Sequence, residues 1–182
     1  MSEGDIEAVS AIRVRGWRSA YTGIVPQTYL DAMTPEEDAV KRREWFSHPL
    51  RQSTDLVALA PGGGPRQDSG EVVGWVSFGP YRGRVSGAGR AAEVYALYVR
   101  PDLIGRGVGR TLLGEVHSRL AGQRFQTSAL WVLGDNQQAR RFYERAGYQL
   151  DGGAQDDVYD DVTLTELRYR RPLGAATDSD RE

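Results

Sequence analysis

The residues with the clearest chemical potential lie between Glu93 and Leu120, in the stretch EVYALYVRPDLIGRGVGRTLLGEVHSRL. An apolar strand, Val94 to Val99, runs into a Pro-Asp turn, and Gly105, Gly107 and Gly109 follow at alternate positions. Val108, Leu112, Leu113, Val116 and Leu120 then recur at helical spacing. Strand, glycine loop and helix N-terminus form an anion site in outline. The first turn of a helix leaves N–H groups without partners, its dipole end is positive, and glycine lets backbone approach a bound phosphate. Arg106 and Arg110 flank the loop and add charge. A P-loop is excluded, because GxxxxGK[ST] is absent and Lys41 is the only lysine. The dinucleotide fingerprint G-x-G-x-x-G is not matched either: the spacing here is G-x-G-x-G, after an interior strand.

Glu93 is the second chemical feature. Alternation along the strand predicts Glu93, Tyr95, Leu97 and Val99 on one face and Val94, Ala96 and Tyr98 on the other. Both faces are largely apolar, so the strand reads as central. A carboxylate there costs free energy unless paired or neutralised, and desolvation would raise its pKa towards that of a general base. The competing reading is a structural glutamate at the solvent end of the strand.

These blocks resemble the GNAT N-acetyltransferase family. Its pyrophosphate loop, Q/R-x-x-G-x-G/A, falls on Ile104 to Gly109, with Ile104 in place of the usual Gln or Arg. Its second motif, N-x-x-A-x-x-x-Y-x-x-x-G-F/Y, falls on Asn136, Ala139, Tyr143, Gly147 and Tyr148. A W-x-x-x-Y-x-G block at Trp17 and Tyr21 resembles the helices that wall the acceptor pocket in many bacterial members. The resemblance covers most of residues 5 to 172. It implies acetyl-CoA as co-substrate, held by Leu97, Tyr98, Val99, Ile104, Gly105, Arg106, Gly107, Val108, Gly109, Arg110, Asn136 and Tyr143. It further implies Glu93 as base, since it stands eleven residues before Ile104, the family's spacing for a catalytic glutamate. Tyr143 is implied as the acid that protonates the leaving thiolate, and Trp17 and Tyr21 as acceptor-pocket residues. The expected reaction is direct acetyl transfer to a primary amine of a small molecule or protein. The alternatives are a non-catalytic acyl-CoA-binding module and an enzyme using another acyl donor.

The elements that must position these residues read as follows. Ile6 to Tyr21 has helical spacing, with Asp5 as its cap, and a short helix follows through Tyr29, Leu30 and Met33. Thr34 caps a third helix with Pro35 at its first position, and it ends near His48-Pro49. Leu56 to Ala60 and Val72 to Phe78 read as a hairpin joined by the loop Pro61 to Gly70, and a Gly- and Arg-rich connection, Tyr81 to Arg90, precedes the Glu93 strand. Thr127 to Leu133 is a strand, Asn136 caps the helix Gln137 to Ala146, and Gly147 closes it. His117 reads as a half-packed residue on a helix flank. Asp156, Asp157, Asp160 and Asp161 read as a solvated acidic loop before a last strand, Val162 to Arg170.

The predicted fold is a single α/β domain over residues 1–172, a mixed, twisted sheet flanked by helices, with a disordered polar tail at 173–182. At 182 residues, 40% hydrophobic and 26% charged, the chain has the composition of one globular domain. A net charge of −2 offers no field for nucleic acid or an anionic membrane. Zero cysteines exclude disulfides, thiolate metal sites and a cysteinyl intermediate, and no metal is expected. No apolar run approaches the ~20 residues of a membrane span, and the polar, acidic N-terminus does not read as a signal peptide. The chain therefore reads as cytoplasmic. Family members are often dimers, so the resemblance leaves room for a homodimer.

Overall fold

Six strands form one mixed sheet in the order β1-β2-β3-β4-β6-β5. The computed structural model describes residues 1–60, 70–83 and 89–174. Residues 61–69 of the Pro61 to Gly70 loop, 84–88 of the Tyr81 to Arg90 connection and 175–182 of the expected C-terminal tail therefore fall outside the described residues. The elements are α1 (Ile6–Tyr21), α2 (Gln27–Ala32), α3 (Pro35–Phe46), β1 (Thr54–Leu59), β2 (Val72–Pro80), β3 (Ala91–Val99), α4 (Val108–Gly122), β4 (Thr127–Leu133), α5 (Gln137–Arg145), β5 (Gln149–Tyr159) and β6 (Val162–Pro172).

Local chemistry accounts for most boundaries. Thr34 Oγ1 accepts from Glu37 N at 3.2 Å and Pro35 opens α3, and Asn136 Oδ1 accepts from Ala139 N at 3.1 Å at the start of α5. Asp5 stands at the N-cap position of α1, but its side chain makes no capping bond to that helix. Its carboxylate instead closes a 3-10 turn, accepting from Ser2 N at 2.6 Å.

One face of the sheet carries α4 and α5. Val76, Phe78, Val94, Leu113, Val116, Leu120, Leu130 and Tyr169 form its core. Gly74 brings α4 close to β2, since a Cβ there would meet Leu112 and Val108 at 3.0 Å. The other face carries α1, α2 and α3. A second cluster lies there, in which Val25, Leu30, Leu133 and Tyr159 are buried beneath Trp17, Tyr21, Tyr29 and Leu164.

Two sequence expectations are corrected. The acidic segment is not a loop before a strand. Asp156 and Asp157 lie within β5, paired with Thr165 and Leu164, and Asp160 (φ +51) sits in the turn to β6. Its Gly- and Asp-rich sequence has weak strand propensity, and pairing with β6 overrides it. The faces of β3 also differ from simple alternation. Ser77 pairs with Ala96 but Phe78 pairs with Val94, so Tyr95 is the extra residue of a bulge. Past the bulge the faces exchange: Leu97 packs with Val94 towards α4, whereas Tyr98 lies against Gly16 of α1.

Candidate active site

The bulge coincides with a split in the sheet. Strands β3 and β4 pair in parallel only at Ala91–Thr127, Ala92–Ser128 and Glu93–Ala129. Beyond Glu93, β3 keeps only β2, while β4 bonds β6 along its whole length. The burial of β3 records the change: Ala91 to Val94 are buried and Tyr95 to Val99 half-buried. Backbone groups on the open side of β3 can pair with an extended ligand as a neighbouring strand would.

The split leads to the start of α4. Gly105 (φ +83) and Gly107 (φ +90) adopt left-handed conformations and face open space. Arg106 N donates to Leu103 O at 3.2 Å, and Thr111 N to Gly107 O at 3.0 Å. Among the described residues, the N–H groups of Gly107, Val108, Gly109 and Arg110 find no backbone acceptor, and α4 has no side-chain cap. Such a terminus binds anions. Gly109 closes the cleft from above, its Cβ position lying 3.4 Å from Phe142 and 3.5 Å from Val99. Arg106 and Arg110 are exposed and able to approach an anion, and Ile104, 49% exposed, presents an apolar surface beside the loop.

Tyr143 faces the split from α5, half-buried beside Phe142 and Tyr148, with ring centroids 5.1 and 5.9 Å away. Burial, aided by nearby Tyr21 and Tyr148, pushes its phenol well above the ordinary tyrosine value. No hydrogen bond engages its hydroxyl among the described residues, so the proton is retained and available. Tyr98, on the opposite bank, is likewise pushed up by burial and interacts with Tyr21. Tyr21 in turn reaches Asn136, so α1, β3 and the cap of α5 converge where the split widens. Trp17 meets Tyr21 edge-on with ring centroids 4.7 Å apart, and its indole N–H is buried without an acceptor among the described residues.

Glu93 is 2% exposed, at the closed end of the split. The structure reveals a partner the sequence did not signal. Arg82 donates its backbone N–H to Oε2 at 3.1 Å, and its guanidinium to Oε1 at 3.2 and 2.5 Å. The guanidinium also lies 4.4 Å from the ring of Tyr95, whose phenol is pushed up to about 12 by burial and then by Glu93. Arg82 itself is mostly solvent-exposed and lines a cavity of about 370 Å³ together with Trp45, Phe46, Trp75 and Tyr95. The carboxylate is thus buried behind the mostly exposed Arg82 side chain. Position in a Gly- and Arg-rich connection gave no pattern from which this pairing could be read.

His117 belongs to a different part of the molecule. Its Nε2 is 2.9 Å from the hydroxyl of Tyr148, which pairs with Ser128 at 2.7 Å, and Arg171 approaches its Nδ1. Burial and then Arg171 lower its pKa to about 4, a neutral structural histidine. Among the described residues no cluster of three or more His, Asp or Glu could hold a metal ion.

A sheet that opens between two parallel strands onto an uncapped helix N-terminus offers a cleft suited to a long ligand with an anionic end. Residues 17–148 match the Acetyltransferase (GNAT) family. The chain belongs to that family and is an N-acetyltransferase. It is 30% identical over 132 residues to the uncharacterized N-acetyltransferase YuaI of Bacillus subtilis, covering 72% of this chain and 68% of that protein. It is 39% identical over 125 residues to a mycothiol acetyltransferase of Propionibacterium freudenreichii, covering 65% of this chain but only 34% of that longer protein. The fold matches the PaiA N-acetyltransferase of Thermoplasma acidophilum in complex with coenzyme A. The TM-score is 0.68 at 19% identity, over 94% of this chain and 95% of that one.

Proposed function

We propose that the chain acetylates a small primary amine by direct transfer within a ternary complex, with Glu93 as proton acceptor and Tyr143 as proton donor. The observation that carries this reading is the parting of β3 from β4 immediately after Glu93, in line with the open N-terminus of α4. Coenzyme A lies along the split, its pyrophosphate on the N–H groups of Gly107 to Arg110 and its pantetheine arm on the open edge of β3. The acceptor enters from the α1 face, past Trp17 and Tyr21.

The amine reacts as its free base. Its proton passes to the Glu93 carboxylate through water, which reaches Glu93 as Arg82 swings aside. The nitrogen lone pair forms the new C–N bond at the thioester carbonyl. A β3 N–H between Leu97 and Val99 stabilises the resulting oxyanion. The C–S bond then breaks and Tyr143 supplies the proton that neutralises the thiolate, while the cationic amide nitrogen gives up its second proton to water, which returns one to Tyr143. With no cysteine in the chain, no cysteinyl-enzyme forms. The names of the relatives, mycothiol acetyltransferase and L-methionine sulfoximine/L-methionine sulfone acetyltransferase, support a small polar acceptor. A net charge of −2 accords with an enzyme that does not act on nucleic acid; we place it in the cytoplasm and leave room for a homodimer.

The test is a pair of variants assayed by thiol release over an amine panel. Glu93→Gln should lower kcat about 100-fold, most severely at low pH, and Tyr143→Phe should lower it about 10-fold or more. Both should bind coenzyme A as the wild type does. Unchanged turnover in either variant removes that residue from the mechanism.

A further inference from the structure

Two carboxylates on the α1 side of the sheet keep different company. Glu93 is committed to Arg82. Glu166, on β6, is half-buried and carries no ion pair among the described residues. Its one hydrogen bond there comes from a neutral amide, Gln155 Nε2 to Oε2 at 2.7 Å. Register fixes its surroundings. Glu166 stands opposite Leu133 at the end of β4 and opposite Gln155 on β5. Leu164, two residues earlier and on the same face, packs with Leu133 and Tyr159 beneath Trp17, Tyr21 and Tyr29. The rings form a continuous wall: Trp17 to Tyr21 at 4.7 Å, Tyr29 to Tyr159 at 5.2 Å, Trp17 to Tyr159 at 6.0 Å.

Glu166 is also level with the proposed chemistry. Continuing the register from Glu93–Ala129, and passing over the bulged Tyr95, brings Tyr98 level with Leu133 across the split, and Glu166 lies beside Leu133. Tyr21, which reaches Tyr98 and Asn136 at the cleft, is within electrostatic reach of Glu166, as are Tyr159 and Arg82. An unpaired, half-buried carboxylate beside an aromatic wall is a cation site. The carboxylate supplies charge, and ring faces favour an ammonium and its apolar stem.

We infer that Glu166 anchors the amino group of the acceptor, and that this side of the cleft selects small alkylammonium compounds over neutral molecules of the same shape. The assignment rests on the reading of the α1 face as the acceptor side. The alkyl stem lies on the rings of Tyr21 and Tyr29, which cover the buried Tyr159. Once the ammonium has lost its proton, Glu166 accepts a hydrogen bond from one of the two remaining N–H bonds, leaving the lone pair directed at the thioester. Glu166 is a positioning residue in this scheme, distinct from the proton acceptor.

The test uses the whole chain saturated with coenzyme A and two probes, hexylammonium chloride and 1-hexanol, with dissociation constants from NMR titration. Wild type should bind hexylammonium at least about tenfold more tightly than 1-hexanol, a difference of about 1.4 kcal/mol. Glu166→Gln, which keeps shape and the Gln155 contact, should remove that preference and leave coenzyme A affinity unchanged. Equal binding of the two probes by wild type, or an undiminished preference in Glu166→Gln, overturns the assignment. The reaction is judged separately. Wild type that prefers hexylammonium but forms no N-acetyl product from acetyl-CoA and any amine contradicts the proposed chemistry and leaves the cation site standing.

Discussion

Tyr143 and Glu93 were both legible as candidates, and the structure gives them unequal surroundings. Tyr143 sits on the bank of the split with its hydroxyl unengaged and its pKa raised by burial. The sign is favourable for an acid: the proton is held below the folded pKa, which lies above the ordinary value of 10. The kcat profile should therefore show no alkaline decline up to pH 10 at saturating amine. A decline with a midpoint near pH 8 would exclude Tyr143 as the proton donor. Glu93 has the right place, but Arg82 covers it. No strand-alternation argument predicts a partner that arrives from a loop eleven residues earlier. Glu166 escaped notice for a related reason. In VTLTELRYR it looks like one more polar residue of a half-exposed strand, and only pairing with Leu133 and Gln155 gives it a site.

At the scale of elements, helices were read most accurately. Periodicity together with Thr34, Pro35 and Asn136 fixes their starts through local hydrogen bonds. Strand β5 was missed because its pairing with β6, which no local signal announces, is what makes it a strand. The β3 bulge was missed for the same reason. It is defined by the two-for-one pairing of β3 against β2, and it reassigns Leu97 and Tyr98 to faces opposite those that alternation gives. The glycine loop was legible because its requirement is local. Gly107 at φ +90 is the residue before α4, and an added Cβ would meet open space, so the cost of alanine there is conformational. Gly107→Ala should destabilise the chain by about 1–2 kcal/mol and weaken coenzyme A binding about tenfold. Denaturant titration and calorimetry measure the two effects. Unchanged coenzyme A affinity would detach the loop from the anion site.

For the whole molecule, the two faces of the sheet divide the work. In the proposed reaction the α4 and α5 side, which also holds the larger buried core, takes the donor, and the α1 to α3 side offers aromatic and charged groups to the acceptor. The Ser128–Tyr148–His117–Arg171 chain ties β4, α4 and β6 together behind the cleft. The His117 pKa is lowered to about 4 from 6.5, so folding favours the neutral ring. Its contribution is fully present above pH 6.5 and is lost as pH falls towards 4. Allowing for solvent screening of a half-exposed ring, the loss is on the order of 1 kcal/mol. Chemical denaturation from pH 7 to 4 should show that decline in the wild type and a flatter profile in His117→Gln. Parallel profiles would show that His117 does not titrate with folding.

If the β3–β4 split and the N-terminus of α4 form one coenzyme A site, titration calorimetry with coenzyme A, acetyl-CoA and NAD will show it. One site per chain should bind the first two and not NAD, with affinity reduced in Gly107→Ala. No heat with coenzyme A, or equal binding of NAD, would contradict it and leave the glycine loop an anion site of another kind.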